Sequence, residues 1–187
     1  MSESSTSSDD LFALLKSYVG REAGPPHVAA DPVNLPMIRH WVEAMDDDNP
    51  VYIDEKTAAS SVHGGIVAPP AMLQAWGMKG LKPNLPDGPS ALDELMDTLN
   101  RAGFTSVVAT NCEQTYDRYL HPGDHLVGSA FIESVSQQKT TALGTGHFIT
   151  TRTIYETKQG ERVGSMTFRI LKFSPASTQP KDKESAK

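Results

Sequence analysis

The sequence predicts an α+β fold in which helices come first and a long antiparallel sheet follows. Three observations carry this. Apolar residues recur at helical spacing through the first 103 residues. The chain then changes character, with four long segments (104–119, 124–136, 140–155 and 163–173) rich in Val, Ile, Thr and aromatics. Short polar connections separate them, which predicts hairpins at His-Pro-Gly-Asp, Gln-Gln-Lys and Lys-Gln-Gly-Glu. No internal repeat is present.

The elements follow in order. Residues 1–9 are Ser-rich and acidic and are expected to be a disordered tail. Residues 11–19, LFALLKSYV, predict a short amphipathic helix capped by Asp9 or Asp10 and stopped by Gly20. GREAGPPHVAADP is loop or edge strand, because Pro-Pro forbids helix. Asn34 then caps a second helix with Pro36 in its first turn. Met37, Trp41 and Ala44 or Met45 share one face, and Asn49-Pro50 ends the helix. A short helix is expected over 54–61, and HGGIVAPPAML leads into another that ends at Trp76. Residues 79–89 are a Pro/Gly-rich loop. Ser90 and Asp93 form a capping box for a further helix. In it Leu92, Leu95, Met96 and Leu99 make the apolar stripe, and Gly103 is the stop. Residues 175–187 are a polar tail, either a terminus or a linker to a further domain.

Composition excludes several classes. The length suits one domain with a sizeable core, assigned to residues 10–174. A formal charge of −6 and 38% hydrophobic residues argue against nucleic acid as the main partner. The single cysteine, Cys112, excludes a disulfide framework, and no Cys/His spacing suits zinc, so no metal is expected. No apolar run approaches the ~18–20 residues of a membrane span, and the N-terminal residues lack the features of a secretory signal. A cytoplasmic, membrane-free setting is expected.

The stretch DDNPVYIDEKTAA carries the chemistry. Asp47, Asn49, Pro50, Val51 and Asp54 stand in the order of the motif Asp-x-Asn-Pro-aliphatic-His-x-Asp, with Tyr52 in the place of the His. This resembles the MaoC-like (R)-specific enoyl-CoA hydratases. GGIVAPPAML resembles a segment of their non-catalytic, N-terminal-type units. YDRYLHPGDHL and ALGTGHFITTRTIYETKQGERV resemble the strand-turn-strand and hairpin that follow. The likeness spans roughly residues 10–174. Within the family it points to the MaoC-like part of the larger subunit of heteromeric hydratases acting on steroid side chains. It implies the hotdog fold, a long antiparallel sheet wrapped around a central helix, with extra helices before the sheet.

Hydration of a 2-enoyl thioester needs a base for water, an acid for C2 and donors for the enolate oxygen. An Asp/His pair can move those protons near neutrality, whereas a phenol with a reference pKa of about 10 is protonated and can only donate. Asp47 is therefore a weak candidate for catalysis. A solvated acidic turn capping the next helix is the competing reading of Asp46 and Asp48. His63, beside Gly64-Gly65 after the short helix, is the best replacement base, though a helix C-terminus alone explains it. His121 and His125 flank a turn and read as solvent-exposed, and His147 as a strand-face residue. His27 and His40 lack an acid pattern.

In paired MaoC-like hydratases, the resemblance implies, two hotdog units set their sheets side by side. One carries the Asp/His pair, and the other leaves room for a bulky acyl chain. The expected partner is a small MaoC-like hotdog subunit bearing Asp and His, in a heterotetramer. The isolated chain is then inactive as an enoyl-CoA hydratase, a hydro-lyase. No cofactor is expected, since CoA belongs to the acyl-CoA substrate. Candidate substrate-binding residues are Tyr52, Gly65, Ile66, Val67 and Pro69. On the strands, Arg118, Lys139 and Arg152 are candidate phosphate cations, and Gly144 and Gly146 would admit a pantetheine arm. Residues 79–102 would border the acyl pocket, with their Leu/Met stripe in the core. The alternatives are an acyl-CoA-binding hotdog without chemistry and an acyl-CoA thioesterase, because the fold alone assigns no reaction.

Overall fold

In the computed structural model the described residues are 8–78 and 88–176. The elements are, in order, α1 (Ser8–Lys16), β1 (His27–Val28), α2 (Leu35–Met45), α3 (Glu55–Ser60), α4 (Leu73–Trp76), α5 (Ala91–Arg101), β2 (Ser106–Tyr116), β3 (Leu126–Val135), β4 (Lys139–Thr141), β5 (Gly144–Thr157) and β6 (Arg162–Pro175). Two 3₁₀ turns, Pro50–Tyr52 and Pro70–Met72, precede α3 and α4. The expected tail 1–9 and loop 79–89 fall largely outside the described residues, and the tail 175–187 does so beyond Ala176.

Local signals set the helix ends. Asn34 accepts from the Met37 amide at 3.0 Å and Pro36 occupies the first turn of α2. Ser90 and Asp93 make the reciprocal capping box of α5, and Gly103, at φ 90°, takes the left-handed conformation that stops it. The start of α1 lies at Ser8, inside the segment read as tail, and its end at Lys16 is earlier than the pattern suggested. Two further readings are corrected. The buried face of α2 is Ile38 and Val42 with Trp41 partly buried, whereas Met37 and Met45 are exposed. The helix also ends before Asn49-Pro50, at Asp46, which adopts φ 53° and closes it as a left-handed C-cap.

The sheet runs β1-β3-β5-β6-β2, with β4 paired to β5. Every pairing is antiparallel. The Lys-Gln-Gly-Glu connection is the predicted β5–β6 hairpin. His-Pro-Gly-Asp is not a hairpin: β2 pairs with β6 and β3 with β5, so the turn carries the chain from one edge of the sheet toward the other. Chain adjacency misled here, because the turn signal at 121–124 fixes a reversal but not which strand will be the neighbour.

One face of the sheet receives the helices, and it holds two separate apolar clusters. The first gathers Ile38, Val42, Tyr52, Val67, Met72, Trp76, Leu126 and Val163, joining α2, α4 and the Pro50–Tyr52 turn to the strands. The second gathers Leu15, Tyr18, Leu95, Leu99, Phe104, Ile132 and Ile149, joining α1 and α5 to β3 and β5. Leu99→Ala should destabilise the protein by about 2–5 kcal/mol, since this fully buried side chain leaves a cavity. Leu14→Ala, at a half-exposed position, should change stability by less than about 0.5 kcal/mol. Urea denaturation of the two variants measures the difference.

Candidate functional site

The turn between α2 and α3 is held by its own side chains. The Asp47 amide donates to Val42 O at 2.9 Å, completing the end of α2. Asp47 Oδ1 accepts from the Asn49 amide at 3.1 Å, and Asn49 Oδ1 accepts from Val51 N at 3.2 Å. Asp54 Oδ1 caps α3 through the Thr57 amide at 2.7 Å, a bond that holds its carboxyl below the usual range. The reading of Asp46 as a cap for the next helix is corrected: it closes α2, and Asp54 caps α3.

Tyr52 lies inside the first cluster, 8% exposed. Burial, then the neighbouring Tyr119 and Asp47, push its phenol above its ordinary value, against a smaller lowering by Asn49. It is a protonated donor at neutral pH. His63 does not replace the missing imidazole beside Asp47. Its ring lies 4.4 Å from that of Tyr119, and it makes no bond to a carboxylate among the described residues.

Three other histidines are held by backbone carbonyls of the fold. His121 and His125 are half-buried, not free in solvent. His121 Nδ1 meets Ile66 O at 3.2 Å and His125 Nε2 donates to Ala29 O at 2.8 Å. His147 is buried, edge-on to Phe104, with Nδ1 donating to Ser136 O at 3.0 Å. His40 has an acid partner after all, Glu43 at 3.7 Å, but both are exposed and the pair is weak.

The strand candidates have structural occupations. Arg118 is bidentate to Asp124 (2.7 and 3.1 Å) and to Glu161 (2.9 and 2.7 Å), tying the 117–125 segment to the β5–β6 turn. These bonds hold the guanidinium above its ordinary value, and as placed it has no free fork for a phosphate. Gly144 and Gly146 face β6, not a ligand. A Cβ on Gly146 would sit 2.6 Å from Phe173 Cα and against Lys172 O, and one on Gly144 would meet Ser174 O and Ala176 N. Arg152 is exposed and alternates with Thr151 and Thr153, so it leaves the sheet on the face away from the helices. Lys139 is exposed on β4.

The sequence-derived candidates do not converge on one cavity. Asp47 lines a shallow depression with Arg39, Val42 and Ile53. Gly65 and Ile66 line another with Leu35 and His121. Val67 and Pro69 are buried, Val67 in the first cluster.

A third, more enclosed cavity of about 420 Å³ lies between the two apolar clusters. Ala23, Leu92 and Ala130 line it from the side of α5, and Gly77, Tyr155 and Met166 from the side of α4. Gly128 and Thr153 form part of the sheet floor, and Gln74, Ser90 and Asp93 add polar groups. Its size and mixed lining fit a small-molecule site. Of the segment 79–102, Gly88, Ser90, Leu92 and Asp93 border it, Leu95 and Leu99 stay in the core, and 79–87 lie outside the described residues. Sequence reasoning missed its floor. The available signal was small residues on strands at positions facing the helices: Gly128 and Ala130 on β3, opposite Tyr155 and Thr153 on β5. Among the described residues no group of His, Cys, Asp and Glu could hold a metal ion, and no helix is long and apolar enough to cross a membrane.

An antiparallel sheet packed around helices that cover one face, with a cavity between them, defines a hotdog protein. The chain belongs to the FAS1-like, dehydratase domain region family, a MaoC-like group, whose model matches residues 17–166. It is 46% identical over 175 residues to a probable enoyl-CoA hydratase alpha subunit of Thermomonospora curvata, covering 92% of this chain and 55% of that protein. It is 49% identical over 159 residues to the 3-oxo-4,17-pregnadiene-20-carboxyl-CoA hydratase alpha subunit of Mycobacterium tuberculosis, covering 83% and 50%. A chain in the crystal structure of the ChsH1-ChsH2 complex from Mycobacterium tuberculosis superposes with a TM-score of 0.79 at 43% identity, over 94% of this chain and 97% of that one. The chain spans about half the length of these curated relatives.

Asp124 provides a test of the Arg118 tie. Burial pushes its carboxyl up, but the bonds from Arg118 and the His121 amide outweigh that, and the net shift is downward. Its contribution to stability is therefore complete above the unfolded carboxyl value of about 4 and lost as pH falls through the lower folded value. Asp124→Asn should lower stability at pH 7 by about 1–3 kcal/mol. It should also flatten the loss between pH 5 and 3, at about one pH unit either side of that value. Urea midpoints measured across this range check both effects.

Proposed function

We propose that this chain is the acyl-holding subunit of a heteromeric enoyl-CoA hydratase, and that a partner hotdog subunit supplies the Asp/His pair that activates water. The observation that carries this is Tyr52. A buried phenol stands where the hydratase motif has its imidazole, its ionisation is further disfavoured by its surroundings, and the Asp47 carboxylate takes its bond from the Asn49 amide. Water activation needs a group whose proton can leave near pH 7, and Tyr52 is not one.

Two further features support the reading. The cavity between α4 and α5 can take a bulky apolar acyl group, with a steroid side-chain CoA ester the class suggested by the Mycobacterium tuberculosis relative's name. Edge strand β2, 11 residues long, pairs only with β6 among the described residues, so its outward-facing backbone groups suit another sheet. In this division of labour the chain positions the acyl body, with Gly65 and Arg152 as accessible candidate contacts for the rest of the ester and the buried Ile66 lining the depression beside Gly65. Asp47 keeps the motif turn in place, and the partner carries the proton transfers.

The purified chain alone should hydrate a 2-enoyl-CoA at no more than the background rate. Mixing with a hotdog subunit that carries Asp-x4-His should produce turnover. In the mixture Tyr52→Phe should retain kcat within about threefold, whereas loss of a general acid or base costs about 10²–10⁴-fold. Hydration by the chain alone, abolished by Tyr52→Phe, would overturn the assignment. Binding without turnover in the mixture would favour an acyl-CoA-binding role, and release of CoA from a saturated acyl-CoA would favour thioester hydrolysis.

A further inference from the structure

Tyr155 is 4% exposed and stands on the helix-facing side of β5. Its strand neighbours are both glycines, Gly128 on β3 and Gly164 on β6. A Cβ on Gly77 would lie 3.1 Å from Tyr155 Cε1 and 3.9 Å from its hydroxyl oxygen, so the hydroxyl edge of the ring lies against the end of α4. Tyr155, Gly77 and Gly128 all line the cavity. Among the described residues, nothing donates to or accepts from the Tyr155 hydroxyl. The Trp76 indole N–H in the same cluster is sealed without a partner, whereas Tyr155 belongs to the lining of the cavity.

A hydroxyl in this setting has no partner among the described residues and belongs to a side chain that lines the space a ligand would fill. Water can satisfy it while the cavity is empty. A ligand that is hydrocarbon at this point would expel that water and leave the donor buried and unpaired, which is unfavourable. A ligand with an oxygen there would take the bond over. We infer that Tyr155 is a specificity-determining residue whose hydroxyl donates a hydrogen bond to a ketone oxygen on the body of the bound acyl group, away from the thioester. Burial pushes the phenol up to about 12, so it remains a donor throughout the neutral range. The inference rests on the acyl-CoA reading of the cavity.

The test uses two probes, a polycyclic enoyl-CoA bearing a ring ketone and its deoxo counterpart. They are titrated by calorimetry into the chain purified with its partner subunit. Wild type should bind the ketone at least about tenfold more tightly, the discrimination expected of one desolvated hydrogen bond. Tyr155→Phe should reduce that preference to within about twofold, through weaker binding of the ketone and unchanged or tighter binding of the deoxo compound. The variant keeps the ring against Gly77 and Gly128, so its thermal midpoint should match or exceed that of wild type. Equal binding of both probes by wild type overturns the role of Tyr155 while leaving acyl-CoA binding intact, and so does a preference that survives Tyr155→Phe. A midpoint lowered by more than about 4 °C would mark the hydroxyl as structural, with the same consequence. Failure of wild type to bind either thioester overturns the acyl-CoA reading itself, and this inference with it.

Discussion

The strands of this protein are longer than its helices can cover, and much of the architecture follows from that mismatch. The 14 residues of β5 extend roughly 46 Å at ~3.3 Å per residue. The 11 residues of α5 extend only about 16 Å, and the 4 of α4 about 6 Å. If α5 lay across the strands it would cover only its width of about 10 Å. The sheet face is therefore closed piecewise. Helices α2 and α4 seal one end, α1 and α5 the other, and two clusters form instead of one continuous core. Where the covers fail to meet, the sequence places Ala23, Gly77, Gly128 and Ala130, too small to fill the space. The cavity is the remainder of an incomplete cover, and its polar groups come from α4 and the start of α5 (Gln74, Ser90, Asp93) and from β5 (Thr153, Tyr155).

The motif turn shows how acceptor oxygens at fixed offsets hold a short stretch of backbone in place. Asn49 starts a 3₁₀ turn, Asp54 starts α3, and Asp47 fastens the backbone between them. Each of these jobs needs an oxygen acceptor at a fixed offset and none needs a base. Asp46 adds a left-handed residue that lets α2 stop without glycine. Within that frame the residue at position 52 is free to be chosen for packing. Tyr52 uses its ring to fill the first cluster. The matched positions Asp47, Asn49 and Asp54 thus serve the fold as caps and turns.

This separates what the sequence could express from what it could not. The capping box at Ser90–Asp93, the Asn34 cap and the Gly103 stop were legible, because each is a bond or torsion within a few residues. The α+β order was legible in the shift of periodicity, and the hotdog in three motifs read together. The partner of β2 was not: it lies some 50 residues along the chain, and a turn signal at 121–124 carries no information about it. Arg118 looked like a free cation because its acids, Asp124 and Glu161, are 6 and 43 residues away and converge only in the folded chain. The cavity was hardest, since its lining comes from six stretches of chain and its marker is the absence of large side chains.

The two edges of the sheet are treated very differently, and the contrast bears on what completes it. At one edge β1 is only 2 residues long, and the chain around it binds back to β3 through Ala23 and Ala29. At the other, β2 runs 11 residues and, among the described residues, pairs only with β6. Its pairing with Lys172, Ile170, Phe168, Met166 and Gly164 sets Val107, Ala109, Cys112, Gln114 and Tyr116 on the side that carries the helices. Four of these five are exposed, Val107 at 54% and Tyr116 at 44%, and none is charged. An edge meant to face water is normally shortened, bulged or studded with charge. This one has a single bulge beside Thr110 and keeps its one acid, Glu113, on the opposite face. Left bare, such a row invites pairing with any other strand. Covered by the sheet of a second hotdog unit, it becomes the middle of a wider sheet, and a short, broken helical cover on this side ceases to be a defect.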